Sequence, residues 1–409
     1  MRPATEYTVR HVLLDGSRTA AGPELKMVTG NVDPITTYTV VTPPPQPVQA
    51  GVLLQSPLAQ FMVATDLTGR MVWYYQGEIE TLTRGYPGGI FTGFTQQAQG
   101  EDSEQLVGEF DLMGITTRVT NAARINEQLA AMGKRPITGF HHEAARLPGG
   151  RFLALANTEQ MLSNVQQAQS PVDVLGDMIL VLDQDMQVEW VWDAFEHMDV
   201  DRAAVLRETC TPTGGGCPPF RLAARANDWL HSNSVQLMPD GNLLVSVRHQ
   251  DWLVKIDYRN GEGDGHVIWR LGKDGDFAME PADSNGWFSH QHDAAVERGN
   301  SNRIMLFDNG NTRRAEDGEA HSRGQVWELD EFNRKAALVF NADLGSYSSA
   351  LGTAQRLPNG NYHFDLGFVT PALSESVEVD GWAQPVYRLR IGAPMYRTFR
   401  LRDIYTPME

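Results

Sequence analysis

Five of the eleven histidines of this chain lie in three short polar clusters. Each cluster opens an apolar strand that ends in a glycine-containing turn, and a second apolar strand follows the turn. The clusters are His141-His142-Glu143, His231-Ser232-Asn233 and His290-Gln291-His292-Asp293. An imidazole can act as a nucleophile, an acid, a base or a metal ligand near neutral pH. Because the pattern recurs at one register, we expect a fold that gathers the repeats around one site.

Tight hairpins predict which residue of the returning strand faces each cluster, because antiparallel strands pair about their turn. The predicted pairs are His142 with Asn157, Asn233 with Arg248, and His292 with Asp308. When the repeats are aligned on their turns, His142, Asn233 and His292 share one register, and His231 lies two residues earlier. The predicted site contains His142, His231, Asn233, Arg248 and His292.

This set of side chains favours an oxyanion as ligand. Arg248 keeps its positive charge at any physiological pH, and Asn233 adds a neutral hydrogen-bond donor. Together with three imidazoles they suit a trigonal or tetrahedral anion whose charge is spread over several oxygens. Two interpretations of Asp308 stay open: it orients His292 through the second ring nitrogen, or it begins a turn that closes the strand.

The spacing of the repeats predicts the elements that position this site. The chain has 38 glycines, 22 prolines and nine tryptophans, which is typical of many short strands and tight turns. A fourth hairpin, at residues 352–361, has the same form without histidine and places Thr353 in the register of the polar clusters. We therefore expect an all-β propeller at residues 48–409, preceded by an N-terminal β segment and proline-rich linker at residues 1–47. Helical patterns occur only in insertions, at residues 122–132 and 200–208.

Composition and charge exclude some partners. A formal charge of −17 and a pI near 5.1 argue against nucleic acid or an anionic membrane surface as partner. No stretch approaches the roughly 18 apolar residues of a membrane span, and residues 1–14 lack the apolar core of a signal peptide. The protein is either intracellular or has lost an export leader.

The two cysteines, Cys210 and Cys217, enclose a short glycine-rich loop. Such a loop can close into a disulfide, with two free thiols as the alternative. We favour the disulfide, and with it an oxidising compartment such as the periplasm or the outside of the cell.

At these positions the chain resembles the bacterial aryl-sulfate sulfotransferases, which use phenolic sulfate esters without a nucleotide donor. The resemblance extends over about residues 50–370 and is most specific in its middle block. The matching segments are HHE with LPGG, then DWLHSNSVQLMPDGNLLVSVRHQDWLVKID, and QHDA followed by FDNG. It implies a six-bladed propeller, an exported enzyme and a sulfuryl group carried briefly on a histidine. The amino-terminal segment is shorter than the family's usual β domain, which leaves a homodimer open.

The resemblance also assigns roles to single residues. His292 would be the nucleophile, and His142, His231, Asn233 and Arg248 would hold the sulfuryl oxygens. The family's short cysteine loop is matched by Cys210 and Cys217. The implied partners are a phenolic sulfate donor and a phenol acceptor, and neither a cofactor nor a metal is needed. From its register alone, and not from the resemblance, we expect Thr353 to contact the acceptor phenol. His142 or His231 would protonate the leaving phenolate, and the same histidine would later act as base.

Two other functions remain as alternatives. Three converging histidines are also a typical zinc site, so a metal-dependent hydrolase or lyase is one of them, although Arg248 would repel a dication. A propeller that only binds ligands is the other, because a fold does not determine a function. We interpret the remaining histidines of this region as structural; they are His141, His249, His290 and His321.

Overall fold

The amino-terminal part of the chain forms a small β unit followed by one strand of the propeller. The computed structural model describes residues 3–32, 36–43, 49–58, 60–95, 105–212, 216–283, 286–318 and 320–407. The first five strands are β1 (Glu6–Val9), β2 (Val12–Asp15), β3 (Arg18–Ala21), β4 (Leu25–Val28) and β5 (Tyr38–Thr42). β1 pairs with β4 and β2 with β3, whereas β5 joins the outer edge of a propeller sheet. Most of the proposed linker, residues 44–48, lies outside the described residues.

The remaining elements follow in chain order and belong to six sheets. Three strands come first: β6 (Val52–Pro57), β7 (Met62–Asp66) and β8 (Met71–Tyr75). The second sheet contains β9 (Thr81–Tyr86), β10 (Ile90–Phe94), β11 (Leu106–Asp111) and β12 (Thr116–Asn121), followed by helix α1 (Ala122–Ala131). The third contains β13 (Gly139–Arg146), β14 (Phe152–Leu162), β15 (Val172–Leu182) and β16 (Val188–Asp193), with helix α2 (Ala194–His197) and the short strands β17 (Thr209–Cys210) and β18 (Ala226–Asp228).

The second half of the chain supplies the other sheets. The fourth contains β19 (Ser232–Leu237), β20 (Leu243–Val247), β21 (Trp252–Ile256) and β22 (Val267–Gly272). The fifth contains β23 (Ala278–Met279), β24 (His292–Val296), β25 (Arg303–Asp308), helix α3 (Asn311–Asp317), β26 (Arg323–Asp330) and β27 (Lys335–Asp343). The last strands are β28 (Thr353–Arg356), β29 (Tyr362–Thr370), β30 (Leu373–Val379), β31 (Pro385–Ile391), β32 (Met395–Asp403) and β33 (Thr406–Pro407).

The six sheets are the blades of a propeller, which confirms the predicted fold class. Blade 1 is closed by both parts of the chain, because β32 pairs with β6 and so supplies the inner strand to β6, β7 and β8. The inner strands of blades 2 to 6 are β9, β13, β19, β24 and β28. Each inner strand contacts the next, and β32 contacts both β28 and β9, so the ring around the central channel is complete.

Apolar side chains between neighbouring blades form the core. Aromatic residues near the ends of blade strands pack there: Trp192, Trp269, Trp327 and Tyr387 are each at most 1% exposed. The indole nitrogen of Trp192 donates a hydrogen bond of 2.9 Å to the Gly265 carbonyl of the adjacent blade. These aromatic residues therefore stabilise contacts between blades and do not form the channel site.

The predicted hairpin partners are wrong by one or more residues. The first two hairpins pair one residue away from the predicted register next to their turns, and each histidine-bearing inner strand also contains a β-bulge. Asn157 pairs with Gly139 in place of His142, and the regular pairing resumes only at Ala144. Ser232 pairs with Val247 and Ser234 with Ser246, which leaves Asn233 in the bulge and Arg248 beyond the end of β20. His292 pairs with Phe307 and not with Asp308. An extra residue in a bulge shifts the register and redirects its side chain.

One of the two predicted helical insertions is present. Residues 122–131 form α1, which Asn121 caps by accepting a hydrogen bond of 2.8 Å from the Arg124 amide. Residues 200–208 form turns, because tertiary contacts prevail over helix propensity. The Arg202 guanidinium stacks 3.9 Å from the centroid of the Trp252 ring. None of the helices among the described residues is long and apolar enough to cross a membrane.

Candidate active site at one mouth of the channel

The beginnings of the inner strands surround a cavity of about 550 Å³ at one mouth of the channel. Four of the five residues of the predicted site line this cavity: His142, His231, Arg248 and His292. His141 and His249, which we had interpreted as structural, line it as well. The imidazoles are close together, since the ring centroid of His142 lies 5.0 Å from that of His231 and 6.4 Å from that of His292.

Asn309 orients His292. Its Oδ1 lies 2.6 Å from His292 Nδ1, and its Nδ2 donates hydrogen bonds of 2.8 and 3.0 Å to the carbonyls of Ser348 and Leu351. The two carbonyls fix the amide orientation, so Oδ1 must accept and Nδ1 of His292 must carry the proton. The other ring nitrogen, Nε2, therefore keeps its lone pair. Burial and then the nearby Arg248 hold the pKa of His292 well below its ordinary value.

The structure does not support the interpretation that Asp308 orients the His292 imidazole. Its carboxylate accepts hydrogen bonds from the Ser289 amide at 2.9 Å and from the guanidinium groups of Arg313 and Arg323, each at 2.8 Å. Asp308 is thus a buried structural carboxylate that ties the end of β25 to its neighbours. The bulge in β24 shifts the pairing with β25 by one residue, so Asn309, and not Asp308, lies beside the His292 imidazole.

His142 lies at the centre of the histidine cluster and is neutral. Burial and then the neighbouring imidazoles of His231 and His141 lower its pKa well below the ordinary value. Its Nδ1 lies 2.7 Å from Nδ1 of His141, and its backbone carbonyl accepts a hydrogen bond from the Tyr396 hydroxyl. The residue has a φ of 53°, which is rare for a residue with a side chain. The strained backbone points the ring into the cavity.

Arg248 supplies the positive charge of the cavity. Its Nη2 donates to the Ser349 carbonyl at 3.1 Å, its Nη1 lies 2.5 Å from His249 Nε2, and its Nε is buried without a partner among the described residues. Burial, and then the neighbouring His231 and Arg248, keep the pKa of His249 well below its ordinary value. An unpaired buried N–H is costly, so this guanidinium is suited to a bound anion.

His231 is linked to a carboxylate. Its Nδ1 lies 2.7 Å from Oδ2 of Asp228, and its ring stacks on that of His249 with centroids 4.6 Å apart. Potential metal-ligating atoms of Asp228, His231 and His249 lie within 4.8 Å of one another. However, His249 Nδ1 is also 2.8 Å from the Asp228 carbonyl, and Arg248 occupies the other side of that ring. A cation there would compete with the guanidinium.

Asn233 and Thr353, predicted to bind substrate, lie next to the cavity but are not part of its lining. Asn233 is buried in the bulge of β19, where its Nδ2 donates to the Gln291 carbonyl at 2.7 Å and its Oδ1 has no partner among the described residues. The Thr353 hydroxyl donates to the Thr398 carbonyl at 2.8 Å. Both side chains connect inner strands of neighbouring blades.

An ionic lattice that the sequence did not reveal closes the channel beneath the histidines. Arg84 Nη2 lies 2.8 Å from Glu143 Oε2 and 2.6 Å from Asp293 Oδ1, and Arg397 Nη2 lies 3.0 Å from Glu143 Oε2. The four charges come from β9, β13, β24 and β32 and balance one another. Glu143 and Asp293 directly follow His142 and His292 in the sequence. This adjacency is the sequence feature that could have indicated that the two carboxylates lie near the site.

His290 lies outside the cavity as a buried link between carboxylates. Its Nδ1 is 2.8 Å from Asp251 Oδ1, and its Nε2 bonds to Glu208, which itself lines the cavity. Burial and Arg248 act to lower the pKa of His290, but the hydrogen bonds to the two carboxylates outweigh them and raise it. These two hydrogen bonds anchor the segment that carries Glu208.

The rest of the cavity wall is largely apolar. Aromatic and aliphatic side chains from several blades line it: Leu58, Phe94, Phe140, Leu351 and Tyr396. Cys210 and Cys217 form the expected disulfide and, with Pro218 and Pro219, contribute to the wall. A cavity with cationic and imidazole groups at one place and apolar walls elsewhere suits an aromatic molecule that carries an oxyanion.

Comparison with known proteins agrees with this geometry. The model of the family described as arylsulfotransferase (ASST) matches residues 24–385. No curated protein matches the chain significantly. A solved structure from Bacteroides caccae, described as a protein of unknown function, has the same fold, with a TM-score of 0.50, 11% identity and coverage of 86% of this chain and 98% of that chain. A periplasmic gluconolactonase from Pseudomonas aeruginosa aligns with a TM-score of 0.41 and 10% identity over 94% of this chain and 92% of that one.

Proposed function

Because this chain belongs to the arylsulfotransferase family, we propose that it transfers a sulfuryl group from a phenolic sulfate ester to a phenol through a sulfohistidine at His292. The main support is the hydrogen bond between His292 Nδ1 and Asn309 Oδ1, which leaves Nε2 unprotonated. The cavity provides an apolar wall for each aromatic ring in turn and a guanidinium for the sulfuryl oxygens.

In the first half-reaction, Nε2 of His292 attacks the sulfur and forms an N–S bond. The bond between sulfur and the phenolic oxygen breaks, and its electron pair leaves with the phenolate. The sulfuryl group moves in line between the two nucleophiles, so the protein contributes mainly position and charge. Arg248 stabilises the sulfuryl oxygens, since its Nε lacks a partner among the described residues.

His231 is the best placed group to protonate the departing phenolate. Its Nδ1 bonds to the Asp228 carboxylate, which compensates the positive charge of an imidazolium. His142, by contrast, is kept neutral by burial and its imidazole neighbours, so we assign it a hydrogen-bonding role toward the sulfuryl group. In the second half-reaction an acceptor phenol gives its proton to His231 while its oxygen attacks sulfur, and the N–S electron pair returns to His292.

The decisive experiment uses 4-nitrophenyl sulfate as donor and phenol as acceptor. Nitrophenol should be released and phenyl sulfate formed in equal amounts, with parallel double-reciprocal lines that indicate a ping-pong sequence. Rapid quenching without acceptor should trap one sulfuryl group per chain on histidine. If neither nitrophenol nor phenyl sulfate forms, a propeller that only binds ligands becomes the better interpretation.

A metal-dependent hydrolase is the second candidate, because Asp228, His231 and His249 could hold a cation. Zinc in such a site would activate water and hydrolyse the ester without transfer. The close approach of Arg248 to His249 favours sulfuryl transfer over metal binding. Activity that disappears with a chelator and returns with zinc would contradict the sulfohistidine scheme.

We place the protein in the periplasm or outside the cell, because disulfides persist in oxidising compartments. The propeller at residues 48–409 would be the catalytic domain in this scheme, and residues 1–47 would serve another purpose, with homodimer formation as one option. Fractionation of cells that express the natural gene, followed by thiol labelling of Cys210 and Cys217, tests the location.

A further inference from the structure

A second cavity, of about 730 Å³, occupies the opposite mouth of the channel. Several inner strands line the first cavity near their beginning and the second cavity near their end. In β9, Thr81 lines the first and Arg84 the second; in β32, Tyr396 lines the first and Phe399 the second. No residue lines both cavities among the parts of the chain that the structure describes.

The ionic lattice forms the wall between the two cavities. Arg84 lines the second cavity, while its Nε and Nη2 bond to Glu143 and Asp293 inside the channel. Its Nη1 has no hydrogen-bond partner among the described residues. The base of the second cavity therefore presents N–H groups of a guanidinium whose position is fixed by two buried carboxylates.

The rim of this cavity also carries guanidinium groups. Arg298, on the turn between β24 and β25, is exposed and has no ion pair with any residue that the structure describes. Arg356 stacks with its Cζ 4.3 Å from the Tyr362 ring centroid, and its Nε lies 3.6 Å from Glu297. Arg298 thus adds one positive charge without a described ion pair to a concave surface, in a chain with a net charge of −17.

The walls between base and rim are apolar. Leu237, Met305 and Phe399 line them, and the Arg84 guanidinium lies over the Phe399 ring at 5.7 Å from its centroid. Apolar walls with a few cationic groups at fixed positions bind molecules that combine a flat apolar body with an anionic group.

We propose that the second cavity is a binding site for an aromatic carboxylate or sulfonate, with the ring against Phe399 and the anionic group between Arg84 and Arg298. This site does not depend on the proposed sulfuryl transfer, because the two cavities share no described lining residue.

Naphthalene-2-sulfonate is a suitable probe, since its C–S bond cannot donate a sulfuryl group. We expect isothermal titration of the wild type to show binding that Arg298→Glu weakens by about tenfold or more, as loss of a charge-assisted contact predicts. Arg10→Glu makes the same change in net charge on an exposed residue of the amino-terminal unit, paired with Glu24, and should leave binding unchanged. The neutral naphthalene-2-sulfonamide should bind at least tenfold more weakly than the sulfonate.

The probe can also enter the catalytic cavity, so a second variant separates the sites. Arg248→Ala should remove binding there and leave the component that Arg298→Glu weakens. A crystal structure with the probe should place its sulfonate next to Arg84 and Arg298. The proposal is overturned if Arg298→Glu binds like the wild type, or if Arg248→Ala abolishes all binding. The melting temperature of Arg298→Glu reports whether the variant is folded. Its rate of sulfuryl transfer from 4-nitrophenyl sulfate tests the catalytic scheme separately from the second cavity.

Discussion

His292 and Asn309 form a buried pair in which an amide, and not a carboxylate, orients the imidazole, with 2.6 Å between Nδ1 and Oδ1. A carboxylate at this position would stabilise the imidazolium and make the histidine a better base. A neutral amide fixes the tautomer without adding charge. Burial and Arg248 can then keep the pKa of His292 low, so Nε2 remains available to attack.

The first prediction concerns the nucleophile. His292→Ala should abolish sulfuryl transfer from 4-nitrophenyl sulfate to phenol, because no other group can form the N–S bond at that position. The matched control is His321→Ala, which removes an exposed imidazole paired with Asp343 and should retain full activity. Wild-type rates in His292→Ala, with an unchanged far-ultraviolet spectrum, would end the assignment.

The second prediction concerns pH. Protonated His292 is inactive, and its low pKa should keep kcat/KM nearly constant as the pH falls through about 6.5, the ordinary value for histidine. Asn309→Asp should raise the pKa of His292, because a carboxylate favours the charged ring. The acidic limb of the kcat/KM profile should therefore move to higher pH, with activity recovering toward pH 8.

The neighbouring residue provides the control for that experiment. Asp308→Asn should leave the position of the acidic limb unchanged, because Asp308 contacts Arg313 and Arg323 and does not contact His292. It should lower the melting temperature, since two guanidinium groups lose a buried carboxylate. If the acidic limb of the kcat/KM profile does not move in Asn309→Asp, or moves equally in both variants, Asn309 does not control the protonation of His292.

The third prediction concerns the charge on the sulfuryl oxygens. Arg248→Lys should reduce kcat about 10²-fold or more, because an ammonium cannot reproduce the planar fork that contacts Ser349 and the substrate. Arg259→Lys changes an exposed guanidinium paired with Asp257 and should have no effect. If only KM rises in Arg248→Lys, Arg248 binds the ground state without helping the transition state.

The fourth prediction concerns the lattice beneath the site. Glu143→Gln should lower the free energy of unfolding by about 3–5 kcal/mol, because it leaves Arg84 and Arg397 without their shared buried carboxylate. Glu6→Gln breaks an exposed pair with Lys26 and should cost at most about 1 kcal/mol. Denaturant unfolding curves at one pH give both values, and equal small losses would contradict the structural role of the lattice.

The repeat pattern was sufficient to predict the fold, the mouth of the channel and four residues of the site. The positions of the histidines and of Arg248 relative to the glycine turns predict these features, because the first strand of every hairpin begins at the same mouth of the channel. The family resemblance added the blade number and the proposal that His292 is the nucleophile, which stays a prediction. The division at residue 47 stays a prediction, although β5 pairs with β31 in the propeller.

Details that depend on bulges and long-range pairing could not be predicted. A bulge in β24 places Asn309 where Asp308 was expected, and no local signal distinguishes these adjacent residues. Arg84 and Arg397 lie far from the histidines in sequence and reach them only because blades 1 and 2 close the ring. His249 lies in the short turn after β20, outside the repeated hairpin positions, so the hairpin pattern did not predict that it lines the cavity.

The closure of blade 1 by β32 has a consequence for biosynthesis. Tyr396 supports the backbone of His142, and Arg397 completes the lattice, yet both are made after every histidine of the site has left the ribosome. A nascent chain that stops before β32 holds all the imidazoles, but the inner edge of β6 lacks its partner and the ring is open. We therefore expect the proposed chemistry to begin only after the last inner strand has been synthesised, and a product that terminates before β32 to be inactive.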